Sequence, residues 1–251
     1  MATERGTAIV TGASSGIGAA TARALAQEGY AVVACARRSE RLVALAAQSD
    51  LIEAWHLDVM DQSSVEALVE HLQGRRVTVL VANAGGSYDG APIADADLES
   101  WVRTYEVNVI GTVRTIKAFL PLLRASGDGL VIIMGSTAGH IAYENGGSYV
   151  AAKHAETAIA GTLRLELCGE PIRVTEIAPG MVRTDEFALN RFGGDADRAA
   201  AVYQGVAEPL VAEDIADTVA WVATRPSHVN IDRLVIRPVA QAAQHKVHRT
   251  S

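Results

Sequence analysis

Two side chains that could exchange a proton stand four residues apart in the second half of the chain. Tyr149 and Lys153 would share one face of a helix, because residues four apart are neighbours on a helix surface. A phenol with a pKa of about 10 is a poor base at neutral pH, but a nearby ammonium favours the phenolate. The pair predicts a proton donor and acceptor, although exposed helices also carry such pairs by chance.

A hydroxyl shortly upstream strengthens this prediction. The apolar run from Leu130 to Met134 predicts a strand, and Ser136 follows its end. From that position Ser136 could hydrogen-bond a substrate oxygen together with Tyr149. Two such donors stabilise the charge that develops on oxygen as a hydride leaves or arrives.

A glycine-rich loop near the start of the chain predicts a binding site for phosphates. It follows the first strand-like run and opens into an Ala-rich helix, whose N-terminus offers free N–H groups. Gly12 permits a tight turn, Gly16 allows the backbone to approach a pyrophosphate, and Gly18 allows close helix–strand packing. The residues expected to bind a dinucleotide here are Gly12, Ser14, Ser15, Gly16, Ile17 and Gly18.

The end of the second strand indicates which dinucleotide is bound. Arg37 and Arg38 stand where an NAD-binding protein would usually place a carboxylate for the ribose 2′-hydroxyl. Guanidinium groups suit a 2′-phosphate, because their charge is permanent and their donors can bind two oxygens. NADP(H) is therefore the expected cofactor, although one of the two arginines could simply be solvated at the start of the next helix.

Two later strand ends add further cofactor contacts. Asp58 and Val59 could meet the adenine, or Asp58 could cap the helix that follows. Asn83, Ala84 and Gly85 follow the strand Val77 to Val81, at the sheet edge where ligands bind in open α/β folds.

The elements that must position these residues alternate along the chain. Strands predicted at 8–10, 31–33, 52–57, 77–81, 130–133, 174–177 and 234–236 are separated by helices at 19–28, 41–47, 63–72, 98–119, 149–167 and 213–223. This order predicts an α/β Rossmann fold, with a doubly wound parallel sheet of about seven strands in one domain spanning 1–251. The irregular segment 185–205 is either a substrate lid or a solvated helical excursion.

Composition excludes several other classes of function. The net charge of -7 with scattered Lys and Arg predicts no nucleic acid partner, and no apolar run approaches the length of a membrane span. Two cysteines are too few for a disulfide framework, and no nearby Cys or His completes a metal-ligand spacing, so we expect no metal site. With no recognisable targeting segment at the start, we expect a cytoplasmic protein.

The last residues, from Gln244 on, are expected to form a solvated tail, or to bind an acidic neighbour.

With these motifs assembled, the whole chain resembles the short-chain dehydrogenase/reductase family. The resemblance implies a catalytic set of Asn108, Ser136, Tyr149 and Lys153, with Tyr149 as the general acid/base. It further implies that Lys153 also holds the nicotinamide ribose, and that Asn108 holds a water linking Lys153 to solvent. By resemblance, Asn83 stabilises the sheet, and Pro179, Gly180, Val182 and Thr184 meet the nicotinamide.

The arginine pair and the ending Asn230 to Pro238 are similar to the NADP-dependent branch that includes clavulanate, serine and 3-hydroxy acid dehydrogenases. The resemblance implies a carbonyl reductase or alcohol dehydrogenase acting on a small molecule. It also implies a homotetramer, or a homodimer, through the two long helices 98–119 and 149–167. Two alternatives stay open, a non-catalytic NADP(H)-binding regulator and an NAD-preferring dehydrogenase. Candidate pocket residues are Gly86, Ser87, His140, Tyr143, Met181, Phe187 and Phe192, of which His140 and Tyr143 could equally be ordinary packing residues.

Overall fold

Seven apolar runs form a parallel sheet in the computed structural model, which describes residues 4–184 and 186–250. The central strands are buried on both faces, which is typical of parallel sheets covered by helices. The strands are β1 Thr7–Thr11, β2 Ala31–Ala36, β3 Ile52–His56, β4 Val77–Ala82, β5 Gly129–Met134, β6 Ile172–Pro179 and β7 Arg233–Ile236.

Helices connect successive strands and cover both faces of the sheet. They are α1 Gly16–Gln27, α2 Ser39–Ala46, α3 Gln62–His71, α4 Leu98–Tyr105, α5 Gly111–Ser126, α6 Gly147–Glu166, α7 Phe187–Arg191, α8 Ala196–Ala201 and α9 Ala212–Ala223. One hydrophobic cluster packs Leu25, Leu42 and Ile215 on one side of the sheet. A second packs Phe119 and Leu163 on the other. The predicted doubly wound α/β fold is confirmed.

The strand order β3-β2-β1-β4-β5-β6-β7 determines where a ligand can bind. The chain moves outward from β1 to β3 and then crosses back to β4, on the other side of β1. Connections therefore leave β1 and β4 in opposite directions, which opens a crevice beyond the carboxyl ends of these strands. The glycine loop follows β1 and Asn83 follows β4, so both border the crevice.

The long helix predicted over 98–119 is broken in one place and extended in another. Glu106–Ile110 forms a π-helical turn between α4 and α5, and α5 runs past Pro121 to Ser126. Proline removes one helical hydrogen bond, to the carbonyl of Lys117. Both residues are exposed, so water can solvate that carbonyl, while Phe119 and Leu123 hold the opposite face in the core.

The segment predicted as a lid contains α7 and α8, although its first residue, Asp185, lies outside the described residues. The C-terminal stretch packs against this segment, so the predicted solvated tail is wrong as far as residue 250. A bridge joins Gln241 to Val247, and the Arg249 guanidinium donates 3.0 Å to the carbonyl oxygen of Val202. No helix among the described residues has both the length and the apolar character that crossing a membrane requires.

Candidate active site

A cavity of about 450 Å³ lies beyond the carboxyl ends of β1, β4, β5 and β6. It brings together most of the residues that the sequence predicts for the site, although they come from distant parts of the chain. Those lining it are Gly12, Ser15, Gly16, Ile17, Gly18, Asn83, Gly85, Ser136, Tyr149, Lys153, Pro179, Gly180, Val182 and Thr184.

The glycine loop has the backbone geometry of a phosphate cradle. Gly12 has φ +70°, and a Cβ there would lie 2.9 Å from the Cα of Ala84. A Cβ on Gly18 would collide with the carbonyl oxygen of Gly12. Ser15 precedes α1 but makes no side-chain cap, which leaves first-turn N–H groups for an anion. The loop therefore fits a dinucleotide pyrophosphate.

Hydrogen bonds fix this loop to the end of β4. The Asn83 side-chain amide donates 2.9 Å to the carbonyl oxygen of Thr11, and the backbone N–H of Ala84 donates 2.9 Å to the Thr11 hydroxyl. Asn83 thus ties together the two strands that border the crevice.

Ser136 and Tyr149 are both buried, and both line the cavity. Ser136 precedes a short 3-10 turn and accepts a hydrogen bond of 3.1 Å from the backbone N–H of Ala138, which orients its hydroxyl. Tyr149 lies in the first turn of α6, and its ring packs edge-on against Phe187 of α7 at 5.2 Å between centroids.

Lys153 extends beneath the Tyr149 ring, with Nζ 5.6 Å from the ring centroid. Its ammonium donates 2.8 Å to the carbonyl oxygen of Met134 and 2.7 Å to the Glu156 carboxylate. Burial raises the pKa of Glu156 to about 7, against the opposing effect of Lys153. Burial alone would lower the pKa of Lys153, but Glu156 and Tyr149 outweigh it and raise that pKa. Lys153 therefore stays charged, with a third N–H left to donate.

Asn108 lies in the π-helical turn and is fully buried. Its amide nitrogen donates to the carbonyl oxygens of Gly86 at 2.8 Å and Thr104 at 2.7 Å. Its oxygen accepts the N–H of Gly86 at 3.2 Å. These contacts hold the loop that follows β4 against the end of α4. Turns of the π-helical kind are frequent at functional sites. Asn108 is not part of the cavity lining.

Only one of the two predicted arginines contacts the glycine loop, and neither is part of the cavity lining. Arg38 donates 2.7 Å to the Ser14 hydroxyl and 2.6 Å to the Glu186 carboxylate, and Arg41 pairs with the same carboxylate. Hydrogen bonds from Arg38 come first among the causes that lower the pKa of Glu186 to about 2. Arg37 is exposed and makes no hydrogen bond or ion pair with any described residue. Neither Arg41 nor Glu186 was predicted from the sequence as a site residue.

The predicted nicotinamide loop crosses the glycine loop. A Cβ on Gly16 would lie 3.3 Å from the Thr184 methyl group, so the two loops are close neighbours. The carbonyl oxygen of Val182 accepts 2.8 Å from the Tyr203 hydroxyl, and the Met181 N–H donates 2.8 Å to Gln241. The lid segment and the C-terminal turn therefore both hold this loop in place.

Asp58 and Val59 lie beyond the end of β3 and outside the cavity lining. The carbonyl oxygen of Val59 accepts 2.5 Å from Arg114. Asp58 accepts 2.9 Å from the Met60 N–H, whereas the cap of α3 is Asp61. Capping by Asp58, the alternative reading, is therefore wrong.

Comparison with known proteins gives concordant matches. The family model for "short chain dehydrogenase" matches residues 6–191. An uncharacterized oxidoreductase of Mycobacterium tuberculosis is 54% identical over 245 residues, covering 97% of this chain and 95% of the relative. The serine 3-dehydrogenase of Agrobacterium fabrum is 38% identical over 252 residues, covering 98% and 99%.

A solved structure, the closed form of serine dehydrogenase complexed with NADP+, superposes with a TM-score of 0.91 at 36% identity. The match covers 97% of this chain and 100% of that one. The family model covers the glycine loop, Ser136, Tyr149 and Lys153, and the two relatives span nearly the whole chain. The chain is therefore an oxidoreductase that belongs to the short-chain dehydrogenase/reductase family.

Proposed function

We propose that the protein transfers a hydride between NADP(H) and the carbonyl or alcohol carbon of a small molecule, with Tyr149 as the general acid/base. The observation that carries this proposal is that Ser136, Tyr149 and Lys153 share one cavity with the glycine loop. Two independent features support NADP(H): the Arg38 and Arg41 cluster beside the loop, and the NADP+ named for the similar serine dehydrogenase structure.

The nicotinamide, when bound, gives or accepts the hydride. In reduction the Tyr149 hydroxyl gives its proton to the substrate oxygen, and in oxidation the phenolate takes it back. The Ser136 hydroxyl donates a hydrogen bond to the same oxygen, where negative charge develops. The charged Lys153 lies 5.6 Å from the centre of the Tyr149 ring, and its third N–H is available to the nicotinamide ribose. Asn108 acts through the loop that it holds.

Substitution of the phenol tests this assignment. Tyr149→Phe removes the proton donor and keeps the ring that packs on Phe187, so kcat/KM for carbonyl reduction should fall by about 100- to 10,000-fold. NADPH affinity, followed by cofactor fluorescence, should stay within a few-fold. The matched control is Tyr105→Phe on α4, outside the cavity lining, which likewise removes only a hydroxyl, keeps the ring on the helix surface and should leave both measurements unchanged. Equal turnover by Tyr149→Phe and the wild type would refute the proposal.

The same measurements separate the two alternative readings. A regulator would bind NADPH but consume none with any ketone, aldehyde or alcohol. An NAD-preferring dehydrogenase would bind NADH at least as tightly as NADPH. The first outcome would leave only the nucleotide-binding part of the proposal, and the second would change the cofactor alone.

We further propose a homotetramer, or a homodimer, in the cytoplasm. Leu98, Val102 and Tyr105 of α4 are 73%, 63% and 46% exposed, and their spacing places them on one helical face. A second copy of the chain would cover this apolar face. Cys168 is a free, exposed thiol, which suits a reducing compartment.

For residues 186–205 we propose the role of a substrate lid, because Phe187 and Phe192 line the cavity from this segment.

A further inference from the structure

The charged side chains that line the cavity are not equally neutralised. Among the described residues they are Arg41, Lys153, Glu186 and Arg191. Arg41 pairs with Glu186, and Lys153 pairs with Glu156 at 2.7 Å. Arg191 has no carboxylate within ion-pair distance in the described part of the chain. Among these lining side chains it is therefore the cation that has no counterion.

Most of the hydrogen-bonding capacity of Arg191 is also unused. A guanidinium carries five N–H donors and stays charged at any physiological pH. One donor meets the carbonyl oxygen of Asn145 at 2.7 Å and another the Tyr143 hydroxyl at 3.4 Å. Nε is buried without a partner among the described residues. Three donors are therefore left, on a half-buried cation that approaches the rings of Tyr143 and Phe192 at 5.4 and 5.6 Å.

The position of Arg191 relative to Tyr149 defines where an anion would lie. Phe187 packs against the Tyr149 ring, and Arg191 follows it by four residues on the same face of α7. One helical turn advances about 5–6 Å, so Arg191 leaves the helix one turn from Phe187, the residue that packs on the proposed proton donor. Because the Tyr143 hydroxyl accepts from Arg191, its own proton is available to a ligand in the same cavity.

Given the proposed function, we propose that Arg191 and the Tyr143 hydroxyl bind a compact oxyanion on the substrate. The substrate class is then a short hydroxy acid and the oxo acid or aldehyde acid formed from it. A fork of N–H donors binds two oxygens of such a group at once, and an unneutralised half-buried cation favours its binding. Carboxylates and sulfonates share this chemistry, and the test below distinguishes them.

The test measures binding directly, so it does not depend on turnover. Calorimetric titrations of the NADP+-loaded protein would use 3-hydroxypropanoate, 2-hydroxyethanesulfonate and the neutral propane-1,3-diol. We expect one or both anions to bind at least 10-fold more tightly than the diol. Arg191→Gln should weaken anion binding by roughly 10- to 100-fold, as expected for loss of charge-assisted hydrogen bonds, and leave the diol unchanged. The tighter anion identifies the natural head group.

The matched control is Arg198→Gln, which removes an exposed arginine from the same segment, where it stacks on the Phe192 ring at 4.6 Å. This variant should bind the anions like the wild type. NADPH affinity should be the same in both variants, which shows that the lid segment and cofactor site are intact. Arg191→Lys keeps the charge without the fork, and should recover part of the affinity.

Three outcomes would overturn the inference: a diol that binds as tightly as the anions, equal losses in Arg191→Gln and Arg198→Gln, or an Arg191→Gln loss shared by the diol. Failure of the proposed function would appear in a different measurement, the turnover of the Tyr149→Phe variant. In that case Tyr149→Phe would leave NADPH consumption with carbonyl compounds unchanged, whatever the titrations give. The two failures are therefore distinguishable.

Discussion

The two ends of the cavity satisfy their positive charge in different ways. At the cofactor end, Arg38 and Arg41 share the carboxylate of Glu186, which also accepts 2.8 Å from the Ser15 hydroxyl. At the substrate end, Arg191 touches only neutral groups of the described chain. An anion that binds at the first end must displace a carboxylate of the protein. An anion that binds at the second end displaces none.

This difference assigns two tasks to one short segment. Glu186 and Arg191 lie five residues apart and frame α7, so one element touches both ends of the cavity. We expect a 2′-phosphate that binds Arg38 and Arg41 to displace Glu186 from these two ion pairs. The predictions below challenge this contrast at each end.

The largest effect on cofactor binding is expected when both cofactor-end cations are removed. Arg38→Ala with Arg41→Ala should weaken NADPH binding by roughly 10- to 100-fold, because charge-assisted hydrogen bonds to the 2′-phosphate are lost and Glu186 is left unneutralised. NADH lacks that phosphate and should change little. Fluorescence titration with both cofactors measures the ratio of the two affinities.

Arg37→Ala is the control, since the exposed Arg37 makes no hydrogen bond or ion pair with the described residues. It should retain the NADPH preference of the wild type. If Arg37→Ala lowered the preference as much as the double variant, then Arg37, and not the cluster around Glu186, would contact the phosphate.

The fold and the cofactor end were largely predictable from local sequence. Strand and helix patterns repeat along the chain, and the glycine loop is contiguous, so neighbours in sequence are neighbours in space. The π-helical turn was not predictable. Asn108 in this turn bonds Gly86, which lies 22 residues away, and no local pattern encodes that contact.

The substrate end was hardest to predict for the same reason. Arg191 belongs to a five-residue helix, and its partners Tyr143 and Asn145 come from the loop before α6. One signal was present: Arg191 stands four residues after Phe187, which the sequence did suggest as a pocket residue. The contact between the C-terminal turn and the nicotinamide loop, through Gln241, had no sequence signal at all.

A smaller effect is expected from Glu186→Gln. The substitution removes the carboxylate that competes with the 2′-phosphate, so NADPH should bind about 3- to 10-fold more tightly, consistent with two partly exposed ion pairs. Affinity for NADH should not change. Weaker NADPH binding in this variant would contradict the displacement model, because it would mean that Glu186 supports the bound cofactor.

The same variant predicts a pH dependence of stability. The pKa of Glu186 is about 2, below the ordinary 4.5 of a glutamate, so its ion pairs stabilise the fold fully above about pH 4.5. This contribution is lost as the pH falls through about 2. The difference in unfolding free energy between wild type and Glu186→Gln, measured in urea, should be constant from pH 5 to 8 and shrink below pH 4.5.

The smallest expected effect concerns residues with a left-handed backbone conformation, which occur at both ends of the cavity. At the cofactor end the positive φ angles fall on glycines, Gly12 and Gly16, whereas at the substrate end Asn145 has φ 60°. The Asn145 carbonyl accepts from Arg191, so this conformation orients the cation. Asn145→Ala places a less tolerant residue there and should lower the unfolding free energy by about 1 kcal/mol, whereas Asn145→Gly should change it by less than about 0.5 kcal/mol. Urea unfolding measures both. If the two variants were equally stable, the loop would not be held in this conformation, and the substrate end would be less preorganised than the cofactor end.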